Sequence, residues 1–476
     1  MRESHGGVPL MKEGWMNRRY KLHCFVATLW VLFSLAPLAK SFASEGPLNI
    51  VFVMADDLGW NDVGFHGGHA PTPNLDRLAS SSLELTRHYV APVCSPTRTG
   101  LMTGRFWSRF DVTKPVNVRA LPCETPTLPR RLKALGYDTA LIGKWHLGSR
   151  PEEGPGKFGF DHSYGSLAGG VSPWSHRYKA GDVARTWHRN GVLIDEPGHV
   201  TDLLTAEAIR WIEDRPNDRP FFLYLPMTAV HLPIKEPASW VDRVPGSIRG
   251  DVARHYAACV MHLDDTVGKI LDTLDRKHVR DRTIVIFTSD NGGSTAENND
   301  PKYPDDGAPS GRLTGNNAPL RGGKAELYEG GTRVPTIVHW PNKIAPGRND
   351  TPVSIVDWMP TLCSLAEGDS SPRSDNASFR WDGVDLSAML RRGDAIASRP
   401  IYAVGVSGKE RGLWMGDWKL IVRGEIDRPD TVELYQIAND PSESHDLAAN
   451  QPDRASELLA VLRRIAAADG ESRVGR

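Results

Sequence analysis

Acidic and amide side chains stand at the ends of short apolar runs in this 476-residue chain. Asp56 and Asp57 close the run Asn49–Ala55, and Asp290 with Asn291 follow the run Thr283–Thr288. Together they offer three carboxylates and one amide oxygen. Hard oxygen donors of this kind select Ca²⁺ or Mg²⁺ over zinc. A single Asp-Asp pair would be accounted for as a helix or turn cap. Two such groups at equivalent run ends favour a shared divalent cation. Two further runs lead into nitrogen groups: Asp138–Gly143 into Lys144, Trp145 and His146, and Phe221–Leu225 toward His231. An individual histidine more often has a surface or core role, and His162, His176 and His199 compete with His231 as the functional one.

More than 230 residues separate the first of these groups from the last, so only the fold can unite them. The runs lack apolar/polar alternation, which suits strands buried on both faces of a parallel sheet. Val334–Trp340 is a fifth run of the same kind. Between the runs lie segments with helical spacing: Pro73–Ser81, Pro126–Leu135, Thr201–Asp214 and Arg254–Leu274. Strand–helix alternation predicts an α/β fold with a large doubly wound, mostly parallel sheet, whose ligands bind beyond the carboxyl ends of the strands. Past Asp350 the pattern changes to short antiparallel strands at Arg411–Met415, Trp418–Val422 and Glu433–Ile437, then a helix over Arg454–Ala468. The reading is therefore a catalytic α/β domain over residues 44–350 and a smaller C-terminal α+β domain, antiparallel sheet plus helix, over 351–476.

Pro92-Val93-Cys94-Ser95-Pro96-Thr97-Arg98 runs on to Thr103-Gly104-Arg105. This C-x-P-x-R…T-G-R pattern resembles the signature of the type I, formylglycine-dependent sulfatases of the alkaline-phosphatase superfamily. Ala55–Asp62, Gly143–Gly148, Ser289–Gly293 and Pro319–Lys324 with Glu329–Gly331 resemble the family's other motifs in the same order. Trp418–Leu420, Glu433–Tyr435 and Asp440–Glu443 resemble its smaller domain, so the likeness extends from Asn49 to Leu447.

The resemblance implies that a separate formylglycine-generating enzyme oxidises Cys94 to formylglycine (3-oxoalanine). It implies one Ca²⁺ or Mg²⁺ ion held by Asp56, Asp57, Asp290, Asn291 and residue 94. It also implies a catalytic set of Cys94, Arg98, Lys144, His146, His231 and Lys324. A hydrated aldehyde suits a sulfate ester, which is an anionic and poor electrophile. One hydroxyl attacks sulfur, and the other then loses its proton and expels sulfate. Arg98, Lys144 and Lys324 would neutralise the growing charge, and His146 would act as base. His231 and Lys324 would contact the sulfate and protonate the leaving oxygen. Asp57–Gly67, Arg254–Ala257 and Phe221–Leu225 resemble the arylsulfatase B branch, the N-acetylgalactosamine-4-sulfatases, whereas Tyr164–Trp187 does not follow it. The expected substrate is a sulfated saccharide, N-acetylgalactosamine 4-sulfate among them, or an aryl sulfate. A phosphodiester or phosphonate hydrolase of the same superfamily, or a catalytically silent carbohydrate-binding protein, is the alternative.

Composition narrows the classes. With 57 basic and 58 acidic residues the chain lacks the charge for electrostatic nucleic-acid binding. Its 40% hydrophobic and 24% charged content is that of a globular protein. Arg18, Arg19 and Lys21 precede the apolar run Cys24–Ala39, and Ser41-Phe42-Ala43 offers a cleavage site, so residues 1–43 read as a signal peptide. The expected location is secreted or periplasmic, or lysosomal in an animal host, with no stable membrane span after cleavage. Cys94, Cys123, Cys259 and Cys363 would remain, with no spacing that indicates a bridge.

Overall fold

The computed structural model describes residues 47–368 and 380–473. The expected signal peptide lies outside the described residues, as does Asn376-Ala377-Ser378, a glycosylation acceptor sequence in a glycosylating host. The central strands are β1 (Asn49–Ala55), β2 (Asp138–Lys144), β3 (His162–Ser166), β4 (Phe221–Pro226), β5 (Thr283–Ser289) and β6 (Ile337–His339). They belong to a ten-stranded sheet in the order 347–349, 83–85, β6, β5, β1, β4, β2, β3, 187–189, 192–193. The five strands from β5 to β3 are parallel neighbours. β6 pairs antiparallel with β5. The fifth apolar run therefore reverses the direction expected of it. The reason lies in its connection: residues 290–336 stay at the carboxyl end of β5, where the Lys324 amide donates to the Gly293 carbonyl, so the next strand must run back.

Alternate residues of β1 feed opposite faces of the sheet. Ile50, Phe52 and Met54 join one apolar cluster, and Val51, Val53 and Ala55 the other. Helix α1 (Cys94–Thr103) packs on the first face through Leu101 and Met102. Helices α2 (Val200–Glu213) and α3 (Asp251–Arg276) cover the second through Leu204, Ala208, Val260, Leu263 and Val267. Each fully buried large side chain contributes roughly 1.5–3 kcal/mol. Burial on both faces explains why the strands read as unbroken apolar runs.

A four-stranded antiparallel sheet follows: β7 (Pro400–Val404), β8 (Glu410–Met415), β9 (Trp418–Glu425) and β10 (Arg428–Gln436), with α4 (Pro452–Ala466) against it. Leu413, Leu420 and Leu434 lie on one face of this sheet and Trp414 on the other, and all four share the first cluster with α1. A buried ionic node stands at the junction. The Lys419 ammonium lies 3.0 Å from Glu329 Oε1 and 2.6 Å from Glu443 Oε1. Tyr89 and Trp414 also donate to Glu329. The segment that carries Lys324 is thereby anchored to β9.

Candidate active site

Four adjacent parallel strands, β5, β1, β4 and β2, deliver the chemistry-bearing residues to one end of the sheet. The ladder continues past the strand ends: the Asp290 amide donates to the Ala55 carbonyl at 3.0 Å, and the Asp56 amide to the Ala229 carbonyl at 2.8 Å. Asp56 is thus fixed between Asp290 and the segment leading to His231. Asp57 has φ 65°, in the left-handed region that aspartate tolerates better than most residues.

Helix α1 begins at Cys94, which is 1% exposed. Arg98 lies one turn along, on the same helical face. Its Nη2 and Nε donate to Asp290 Oδ2 at 2.7 and 3.2 Å, and its Nη1 to the Lys144 carbonyl at 2.6 Å. Thr97 Oγ1 donates to the Asp290 carbonyl, and Ser95 Oγ to the His146 carbonyl. The first turn of α1 is therefore tied to the ends of β5 and β2. Cys94, Asp56 and Asp290 bring ligand atoms within 4.8 Å of one another.

The cations complete the cluster. Lys144 Nζ lies 2.6 Å from Asp56 Oδ2, and Lys324 Nζ lies 2.7 Å from Asp57 Oδ2. Asn291 Nδ2 donates to Asp57 Oδ1 at 2.8 Å. His231 Nε2 is 3.8 Å from Asp57 Oδ2. The three rival histidines go elsewhere: His162 to Glu207, His176 to the Gly198 carbonyl, and His199 to the neighbourhood of Glu236 and His262. Burial, reinforced by the nearby lysines, holds His146 and His231 well below the usual imidazole range, so both are neutral.

The residues present fit a divalent cation. Asp56 Oδ1 and Asn291 Oδ1 are buried and have no hydrogen-bond partner among the described residues. Burial, with Asp290 beside it, pushes Asp56 up to about 8, against the pull of Lys144. A cation at these oxygens would return that carboxyl to its ionised form. Burial also acts on Asp57, but Lys324, His231 and Lys144 outweigh it and keep that carboxyl below its usual range. Three carboxylates against Arg98, Lys144 and Lys324 give 3 − 3 = 0 formal charge. A divalent ion would leave the centre positive, as an anionic substrate requires.

Sequence reasoning missed the Gly169-Gly170 pair. A Cβ on Gly169 would lie 2.3 Å from His146 Nε2, and one on Gly170 would lie 2.6 Å from the Tyr303 hydroxyl and 3.3 Å from His231. Only bare backbone lets this loop pass so close to both imidazoles. The paired glycines within Tyr164–Trp187 were the available signal. The structure brings Asp56, Asp57, Asp290 and Asn291 together at the ends of β1 and β5, with Cys94 beside Asp56 and Asp290. The four cysteines among the described residues are all free, with Cys123 exposed and the others buried. No helix among them is long and apolar enough to cross a membrane.

The fold and the cluster together define a hydrolase centre for anionic esters. The chain belongs to the sulfatase family: the family profile, described as Sulfatase, matches residues 48–368. It is 30% identical to mouse arylsulfatase J over 89% of this chain and 76% of that protein. It is 34% identical to human N-acetylgalactosamine-6-sulfatase over 79% of this chain and 72% of that protein. Among solved structures, Ps i-CgsB in complex with k-i-k-neocarrahexaose superposes with a TM-score of 0.78 at 30% identity, over 90% of this chain and 95% of that one. The chain is accordingly a sulfatase, a hydrolase of sulfate esters of the kind borne by carbohydrates.

Proposed function

We propose that this sulfatase removes sulfate from a sulfated galactosamine unit, using residue 94 as nucleophile beside one Ca²⁺ ion. The supporting observation is the meeting of Cys94 with Asp56, Asp57, Asp290 and Asn291 at the ends of β1 and β5. Asp56, Asp57, Asp290 and Asn291 would hold the ion, together with residue 94. The ion would supply positive charge that polarises the sulfate oxygens. Formylglycine at position 94, made by a maturation enzyme, would supply a hydrated aldehyde in place of the thiol.

The remaining work falls to side chains whose positions are given above. Arg98 orients residue 94 from one turn along α1 and fixes Asp290. Lys144 and Lys324 hold charge opposite the sulfate oxygens. Neutral His146 can accept a proton from residue 94. His231 and Lys324, both facing Asp57, would bind the ester, and the protonated Lys324 would return a proton to the leaving oxygen. Each is a buried or nearly buried group, where electrostatic stabilisation is strong.

The likeness to the arylsulfatase B branch favours sulfate at position 4 of the sugar, while the name of the human relative favours position 6. A panel of 4-sulfated and 6-sulfated N-acetylgalactosamine, run beside an aryl sulfate, decides between them. Turnover of the aryl ester alone would remove the sugar from the proposal. Mass spectrometry of the tryptic peptide bearing residue 94 should show the aldehyde. Thiol at full occupancy in native, active protein would overturn the proposed nucleophile. A leader over residues 1–43 would carry the enzyme out of the cytoplasm, which N-terminal sequencing of native material tests.

A further inference from the structure

Trp174 is the only exposed aromatic side chain among the described residues, at 40% exposure, and it is held rigidly. Its indole Nε1 donates to the Lys235 carbonyl at 3.0 Å. Its own amide and that of Ser175 both donate to Asp306 Oδ2, at 2.9 and 2.8 Å. Its ring meets His199 edge-on, with centroids 5.1 Å apart. Three segments distant in sequence thus fix one large apolar surface that faces water.

Its place in the fold connects it to the site. Pro173 and Lys235, the residue before Trp174 and the acceptor of its indole, line a cavity that begins at Gly170 and His231. Gly170 is the glycine whose missing Cβ makes room for His231 and Tyr303. Trp174 therefore stands four residues from the backbone that cradles the catalytic end. Lys235 is partly buried and lines the same cavity, and it has no ion-pair partner among the described residues.

We propose that Trp174 and Lys235 form a subsite for the sugar that follows the desulfated residue, with the indole stacking on the ring and the ammonium receiving an acidic substituent. The subsite rests on the sulfated-saccharide reading above and narrows it to an anionic oligosaccharide. A pre-fixed aromatic face loses little entropy on binding, and a few placed polar groups give orientation. The ammonium suits a carboxylate or a second sulfate.

The test uses the full chain with Cys94→Ala, which binds without turning over, and calorimetry. The probes are N-acetylgalactosamine 6-sulfate, its 4-sulfate, and uronate-containing tetrasaccharides that end in each. Trp174→Ala should weaken the tetrasaccharide roughly tenfold while changing the monosaccharide by less than about twofold. Trp174→Phe should restore most of the loss, and Lys235→Met should weaken only the tetrasaccharide. If the monosaccharide binds and the tetrasaccharide is indifferent to Trp174, the subsite is wrong and the sugar reading stands. If no saccharide binds the unsubstituted surface, the sugar reading itself fails and the subsite with it. Retention of the parent melting temperature in Trp174→Phe separates these outcomes from misfolding.

Discussion

Arg98 joins three parts of the site in one side chain: it faces residue 94 along α1, it pairs with Asp290, and it bonds to the Lys144 carbonyl. Lysine cannot reproduce that fork. Arg98→Lys should keep the buried charge balanced yet lower kcat by ~10²–10³, measured with a matured enzyme on an aryl sulfate. Gly169→Ala probes the neighbouring loop. Its methyl group would occupy the space of His146 Nε2, so kcat should fall at least about tenfold while the melting temperature moves only a few degrees. Unchanged kcat would remove His146 from the proton-transfer role. At this scale the sequence was informative where a residue type dictates chemistry, as for Asp56, Asp57, Asp290 and Asn291. It was silent on Ser95, Thr97 and Gly169, whose importance lies in what their backbone or hydroxyl touches.

The elements explain which parts of the fold could be read in advance. α2 and α3 bury one apolar stripe each, and the spacing of Leu204 and Ala208, or of Val260, Leu263 and Val267, declares it. α1 gives no such signal because all ten of its residues are buried and six of them are polar or glycine. β6 was visible as a strand, but an unbroken apolar run carries no information about direction. The loop before it set that direction by remaining at the site. β9 reaches into this same region through Lys419, which bridges Glu329 and Glu443, while Arg333 stands 3.6 Å from Glu329 alone. Lys419→Met should cost about 3–5 kcal/mol by leaving two buried carboxylates facing each other. It should also reduce kcat, because Glu329 closes the segment that carries Lys324. Denaturant unfolding followed by activity of the folded fraction measures the two effects separately. A loss below about 1 kcal/mol would show that the node is not needed.

For the molecule as a whole, two solution variables should control stability. His262 is buried, which disfavours its charge, but hydrogen bonds to Asp202 and Glu236 outweigh this and raise it to about 9, with His199 stacked beside it. Its folded value lies above the unfolded one, so its contribution is complete below about pH 6.5 and is lost as pH rises through 9. Melting curves across that window should show roughly 3 kcal/mol of this loss, absent in His262→Gln. Metal is the other variable. Chelation should lower the melting temperature and abolish turnover, and Ca²⁺ should restore both, since nothing else answers the free oxygens of Asp56 and Asn291. Elemental analysis that finds no divalent ion in active protein would contradict this. The position of Cys94 sets a limit of a different kind. Its sulfur lies beneath the surface at the root of α1, out of reach of any macromolecular oxidant once the chain has collapsed. On the proposed maturation of residue 94, conversion and folding would compete in time, and molecules that fold first would keep the thiol. A host without the oxidising enzyme should yield well-folded but inert material that later addition of that enzyme does not rescue unless the chain is first unfolded.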